Sequence, residues 1–273
     1  MPGTLYLVPT PIGNLSDVSD RCRETLALAD FIAAEDTRVS LRLLNALEMK
    51  KELVSYHEHN KAASGPRILE RLLAGQSCAL VTDAGCPAIS DPGEDLVRLC
   101  TGAGVPVCAI PGPCAAITAL SVSALPTGRF VFEGFLPMQK KERRERLERL
   151  KIEERTLIFY EAPHHLRGTL DELLAAFGPD RPLSLCRELT KLHEEVLRLT
   201  LGQAVDYYKA NEPRGEYVLV LGGAAPKAET VILEQAAELV RALIDGGMRT
   251  KDAVKQIAEE TGVPKNALYA AVI

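Results

Sequence analysis

The chain has no apolar run long enough to span a bilayer, and no basic segment precedes the short apolar run within MPGTLYLVPTPIGN at its start. Neither a membrane span nor a secretory signal is therefore expected. No two of the seven cysteines stand at CxxC spacing, and the five histidines fall as HEH (57–59), HH (164–165) and the lone His193. These spacings argue against a transition-metal site. An odd number of scattered cysteines, with no export signal, argues for reduced thiols in a cytoplasmic protein. There is no GxxxxGK[ST] and hence no P-loop. GAGVPV (102–107) comes nearest to a dinucleotide fingerprint, but it precedes a strand and lacks the third glycine. Excess positive charge is missing as well: the net charge is −5, so any contact with nucleic acid has to come from a local patch.

Apolar material is abundant. At 273 residues and 47 % hydrophobic content, the chain suffices for one large or two ordinary domains. Its first 125 residues alternate short β-rich runs with helical patterns. The runs are LYLVPT (5–10), FIAAED (31–36), LVSYH (53–57), CALVT (78–82) and VPVCAI (105–110). Mostly continuous apolar strands separated by amphipathic helices predict a parallel sheet covered on both faces. Gly75 and the Gly102/Gly104 pair fall where helices should end.

Around ALPTG (124–128) the pattern changes. FVFEGF (130–135), TLIFYEA (156–162), LSLCREL (183–189), EEVLRLTL (194–201) and EYVLVLGG (216–223) read as strands. Three of them leave only one helix-sized gap, so the second sheet should be mixed or largely antiparallel. Beyond Ala224-Ala225-Pro226 the sequence is helical. The expected organisation is an α/β fold of two α/β domains, 1–119 and 120–223, with a helical appendage at 224–273.

Open α/β sheets bind ligands beyond the C-terminal ends of their strands. There the sequence places PTPIGN (9–14), EDTR (35–38), HEHN (57–60), TDAGCPAISDPG (82–93) and PGPCAA (111–116). Glycine allows close backbone approach and proline stiffens a loop in advance, so five such loops at one sheet edge suit main-chain recognition of a polar small molecule.

TPIGN, AEDTR, TDAGCPAISDPG, IPGPCA, FEGFLP, YEAPHHL, CRELTKLHEE and GEYVLVLGG, in this order, resemble the tetrapyrrole-methylase superfamily of S-adenosylmethionine-dependent enzymes. Within it they are most similar to the branch acting on small-subunit ribosomal RNA. The resemblance spans about residues 3 to 223. It implies methyl transfer to the ribose 2′-oxygen of cytidine 1402 in 16S rRNA, as free rRNA or in the small ribosomal subunit. It also implies a homodimer and a folded S-adenosylmethionine between the two domains. Carried over residue by residue, the cofactor contacts are Ile12; Ala84, Gly85, Cys86 and Ile89; Cys114 and Ala115; and Glu161 and Leu189 from the second domain. Cys114 stands where Ser or Thr is common, and a thiol is a weaker hydrogen-bond partner, so its backbone is the expected contact.

A ribose hydroxyl is a poor nucleophile, and loss of its proton during attack should help. Candidates for catalytic roles at this edge are Asp36, Arg38, His57 and Asp83, with Glu35 and Asn60 beside them. Asp36 and Arg38 read equally as an ion pair or helix cap, and His57 as a packed or solvent-facing histidine. QKKERRERLERLKIEER (139–155) holds eight Lys/Arg against five Glu. It suits phosphate contact, or ordinary pairs along a solvated helix. TKDAVKQIAEETGVPKNALYAAVI has helix–turn–helix rhythm without a basic excess, and either contacts RNA or covers part of the body. Two other readings stay open: methylation of a tetrapyrrole or diphthamide precursor, and a non-catalytic S-adenosylmethionine sensor.

Overall fold

The computed structural model describes residues 1–225 and 233–272. The chain divides into two compact units, Met1–Ala224 and Ala225–Ile273. Of the helical appendage expected at 224–273, residues 226–232 and Ile273 lie outside the described residues.

In the first unit, β1 (Leu5–Leu7), α1 (Asp20–Leu28), β2 (Phe31–Ala34), α2 (Thr37–Ala46), β3 (Glu52–Ser55), α3 (Lys61–Leu73), β4 (Cys78–Val81), α4 (Glu94–Gly102) and β5 (Val107–Ala109) alternate along the chain. The five strands form a wholly parallel sheet in the order β3-β2-β4-β1-β5. In β2 every residue is buried, because successive side chains serve opposite cores. Ile32 and Ala34 pack with Cys22 and Leu26 of α1 and Leu44 of α2. Phe31 and Ala33 pack with Ile68 and Leu72 of α3 and Leu96 of α4. This two-sided demand is why the strands are continuously apolar. Local chemistry sets the helix starts: the Ser19 hydroxyl accepts from Cys22 N–H (3.2 Å), and the Asp36 carboxylate accepts from Arg38 N–H (2.8 Å). Gly75 and Gly104, with φ of 95° and 72°, turn the chain out of α3 and α4, while Gly102 is the last residue of α4 itself.

Next come α5 (Ala115–Val122), β6 (Phe130–Phe135), α6 (Lys140–Leu150), β7 (Thr156–Glu161), α7 (Leu166–Phe177), β8 (Pro182–Arg187), β9 (Glu195–Thr200), α8 (Leu201–Ala210) and β10 (Tyr217–Leu221). The second sheet has the order β6-β7-β10-β8-β9; β6 and β7 run parallel and every other pair is antiparallel. A mixed, largely antiparallel sheet is thus what the strand spacing implied. One face packs on α6, α7 and α8, where Leu147, Leu170, Leu173 and Val205 are buried. The other face receives α5: Ala116, Ala119 and Leu120 pack against Ile158, Cys186, Val218 and Val220. Arg198 on β9 clamps the end of α5 by donating to the Val122 carbonyl (3.1 and 2.5 Å).

By its packing this helix belongs with the second sheet, and the boundary expected at 119/120 falls inside it. The Ala225–Ile273 unit holds α9 (Leu233–Asp245), α10 (Thr250–Thr261) and α11 (Lys265–Val272), joined around Ala236, Val240, Val254, Ile257 and Leu268. Gly262, in the left-handed conformation (φ 73°), makes the turn before α11.

Candidate active site

The neighbouring strands β4, β1 and β5 end together, and their loops are tied to one another. Thr10 and Gly85 exchange backbone hydrogen bonds (2.9 and 3.1 Å), and the Thr10 hydroxyl donates to the Thr82 carbonyl (3.0 Å). Gly85 holds φ of 86°. The Cys86 thiol donates to the Pro113 carbonyl (3.2 Å), which links the loops after β4 and β5. On the other side, Asp83 N–H donates to Glu35 Oε2 (3.3 Å) and Asp36 N–H donates to Asp83 Oδ1 (3.2 Å). TDAGCPAISDPG is therefore held by three neighbouring loops, those after β1, β2 and β5. Within it Ala88 and Ser90, neither of them glycine, take φ of 67° and 60°. Such backbone persists only where the surroundings impose it, and it concentrates at binding sites.

The second lobe supplies the opposite wall. The Tyr160 hydroxyl accepts from Ala116 N–H (3.2 Å) and so fixes the first turn of α5. Glu161 is buried with both oxygens bonded: Oε1 accepts from Ala162 N–H (2.9 Å), and Oε2 accepts from the Thr169 hydroxyl. The loop after β8 is strained too, with Glu188 at φ 52° and Thr190 at φ 67°. Lys191 Nζ bridges Glu188 and Glu216 (2.9 Å each). Across the seam, a Cβ on Gly13 would lie 2.4 Å from Lys191 Cγ and 3.0 Å from Thr190 Oγ1. The loop after β1 thus closes on the loop after β8 at backbone distance.

These walls enclose a cavity of about 320 Å³. Ile12, Ala84, Gly85, Cys86, Ile89, Cys114, Ala115, Glu161 and Leu189 all line it. Of the four candidates for catalytic roles, Asp83 alone is among the lining residues; Glu35 is there as well. Asp36 and Arg38 instead grip each other, Arg38 Nη2 lying 2.6 Å from Asp36 Oδ2 with the arginine side chain 88 % exposed. The hydrogen bonds from Arg38 hold the Asp36 carboxyl far below the ordinary carboxylate range. His57 sits one loop away, its N–H donating to Asn60 Oδ1 (2.8 Å) and its buried Nδ1 without a protein partner.

The lining is acidic. Glu35, Asp83, Asp91, Glu161, Glu188 and Glu216 face it against one cation, Lys191. Burial raises Glu35 and Asp83 above their ordinary values. Asp91 is pushed up to about 7, first by burial and then by the charges of Glu35 and Asp83. Such a cavity disfavours polyphosphates and favours a cation. Ile12, Ile89, Leu189 and Val218 offer apolar surface to a flat ring, and the first turn of α5 presents N–H groups to an anion. A sulfonium nucleoside with an amino-acid tail matches this donor set.

Asp91, Phe135, Tyr160 and Lys191 also line the cavity, and the sequence reading did not single them out. A signal existed for Phe135: an isolated glycine inside the strand FVFEGF marks a bulge.

Residues 4–205 match the family model described as Tetrapyrrole (Corrin/Porphyrin) Methylases. The chain belongs to this methylase family. Residues 230–273 match a second model, described as the RsmI C-terminal HTH domain. A relative from Halalkalibacterium halodurans, named ribosomal RNA small subunit methyltransferase I, is 51 % identical over 98 % of this chain and 93 % of its own length. One of the same name from Escherichia coli O157:H7 is 45 % identical, again over 98 % and 93 %. Among solved structures, the Thermus thermophilus uroporphyrin-III C-methyl transferase complexed with S-adenyl homocysteine superposes with a TM-score of 0.55 at 21 % identity. It covers 81 % of this chain and 97 % of that one. Diphthine synthase gives 0.60 at 15 % identity, covering 81 % and 90 %. These two likenesses establish the shared methylase fold, as expected from the motifs.

Proposed function

We propose that the chain is an S-adenosylmethionine-dependent methyltransferase of small-subunit ribosomal RNA, and that its acceptor is the ribose 2′-oxygen of cytidine 1402 in 16S rRNA. The observation that carries this reading is the likeness to methyltransferases of that name along 98 % of the chain, body and C-terminal helices together. The same family resemblance supports a further part of the proposal, a homodimer in the cytoplasm.

When bound, the cofactor supplies an already activated methyl group. Main-chain atoms of Ala84, Gly85, Cys86 and Ala115 would hold its polar groups, Ile12, Ile89 and Leu189 would offer it apolar surface, and Glu161 would brace the far wall. The protein's own work is alignment, which for a displacement of this kind is worth up to roughly 7–11 kcal/mol. Asp83 accepts the hydroxyl proton. It faces the cavity, burial raises its proton affinity, and the Asp36 N–H fixes one of its oxygens. Asp36 acts through Asp83 as a positioning residue. Arg38 is exposed enough to exchange Asp36 for an RNA phosphate.

Incubation with labelled cofactor and small ribosomal subunits, naked rRNA or uroporphyrinogen tests the proposal. Label is expected in the rRNA, at one ribose. Label in the tetrapyrrole alone moves the acceptor to another class, and binding without transfer to any acceptor leaves a sensor.

A further inference from the structure

Strand β6 contains one irregularity. Phe132 pairs with Ile158, but Gly134 pairs with Phe159 and Phe135 with Tyr160, so Glu133 is an extra residue, a β-bulge. Strict alternation would place Phe135 with Val131, whose side chain packs in the core beneath α6–α8. The bulge moves it to the face of Phe132 and Tyr160, which belong to the core shared with α5. Gly134 makes this possible at φ 60°, and a Cβ there would lie 2.6 Å from Ser90 Oγ in the loop after β4. The ring therefore stands where the two lobes meet.

It is delivered there and left uncovered. Phe135 lines the cavity yet is 60 % exposed. Its ring is braced edge-on by Tyr160 (centroids 5.6 Å apart, 63°), which is itself braced by Phe132 (5.1 Å, 71°). Bulges beside binding sites re-aim side chains in this way. Five residues later α6 begins. Its Arg143 and Arg146 are committed to Glu172 and Glu133. Lys140, Lys141 and Arg144 are exposed and form no ion pair among the described residues.

The geometry points to Phe135 as a stacking platform for an unpaired nucleobase of the acceptor strand, with Lys140, Lys141 and Arg144 on the flanking phosphates. This assignment rests on the rRNA reading above and adds the element that seats the nucleotide. A braced, exposed ring followed five residues later by cations without an ion-pair partner among the described residues is a combination that suits single-stranded nucleic acid. The acidic cavity at the ring suits a neutral ribose edge rather than a phosphate.

Methyl transfer to small ribosomal subunits is measured for the wild type, Phe135→Ala and Phe135→Tyr. Phe135→Ala is expected to lower kcat/KM roughly ten- to a hundredfold, mainly through KM. Phe135→Tyr should restore it, and calorimetry should give both variants the wild-type affinity for S-adenosylhomocysteine. The chain has no tryptophan, so Phe135→Trp adds a sole tryptophan that can be excited apart from the tyrosines, its emission quenched by naked small-subunit rRNA but not by S-adenosylhomocysteine. Wild-type kcat/KM in Phe135→Ala, or no quenching by that RNA, overturns the assignment. So does weaker S-adenosylhomocysteine binding by Phe135→Ala together with quenching by that ligand, which would give the ring to the cofactor's adenine. If the wild type itself transfers no methyl to rRNA, the functional reading fails and this assignment falls with it.

Discussion

Asp91 is the carboxyl group in the cavity whose charge is most finely balanced. Its pKa of about 7 in the folded chain lies above the ordinary 3.8, so the native state binds more protons between those values and loses stability as pH rises through them. Asp91→Asn removes that loss: its melting temperature should exceed the wild type's at pH 8, and the gap should close toward pH 4. Binding runs the other way, because a sulfonium favours the ionised carboxylate. Wild-type affinity for S-adenosylmethionine should therefore rise from pH 6 to pH 8. In Asp91→Asn it should fall more than the affinity for S-adenosylhomocysteine, which lacks the charge; equal losses by calorimetry would take Asp91 away from the sulfonium. Asp83 has a different expected signature. Asp83→Asn should lower kcat by about 10²–10⁴-fold with cofactor affinity kept, and a normal kcat would pass the proton to another group. Asp91 stood in plain view inside TDAGCPAISDPG, but its significance was not legible there, because burial and the approach of Glu35 belong to the folded loops. Asp36 shows the same limit. EDTR reads equally as machinery or cap, and only the Arg38 contacts place it as the N-cap of α2.

Loops and helices turn these residues into a site. That the first five strands run parallel was legible from their continuous apolar runs, but the order β3-β2-β4-β1-β5, which gathers the loops after β1, β4 and β5, was not. Glu161 and Leu189 had no such local signature and came from the family motifs, since they reach the cavity from the ends of β7 and β8 in the second sheet. The bulge in β6 lies between these cases: Gly134 announces it, but the face it gives Phe135 is set by the register of β7. The seam at Gly13 is a comparable contact between loops. Gly13→Ala inserts a methyl against Lys191 and Thr190 and should cost about 1–3 kcal/mol of stability. It should also weaken cofactor binding by spreading the loops; unchanged values for both, by thermal melts and calorimetry, would show the loop after β8 yielding freely. In α6, replacing Lys140, Lys141 and Arg144 together by alanine should flatten the salt dependence of rRNA binding by roughly two in log–log slope. An unaltered slope would return this face to a merely solvated helix.

The ten strands described all lie before Ala225, and the three helices after it bury their apolar residues among themselves. Each unit thus has its own core, and the cavity draws every lining residue from the first. A chain ending at Ala225 should therefore fold, melt cooperatively and bind S-adenosylhomocysteine within about twofold of the full chain, since no core residue and no cavity wall is lost. Its transfer of methyl to small ribosomal subunits is the informative quantity. The C-terminal unit carries no basic excess to hold RNA by charge alone, so a contribution from it has to come through the placement of α10 and α11. If kcat/KM falls while cofactor affinity stays, the helical unit belongs to acceptor recognition. If both stay, it serves the body in some other way. If the shortened chain cannot fold, the separation of the two cores is not the separation of two folding units.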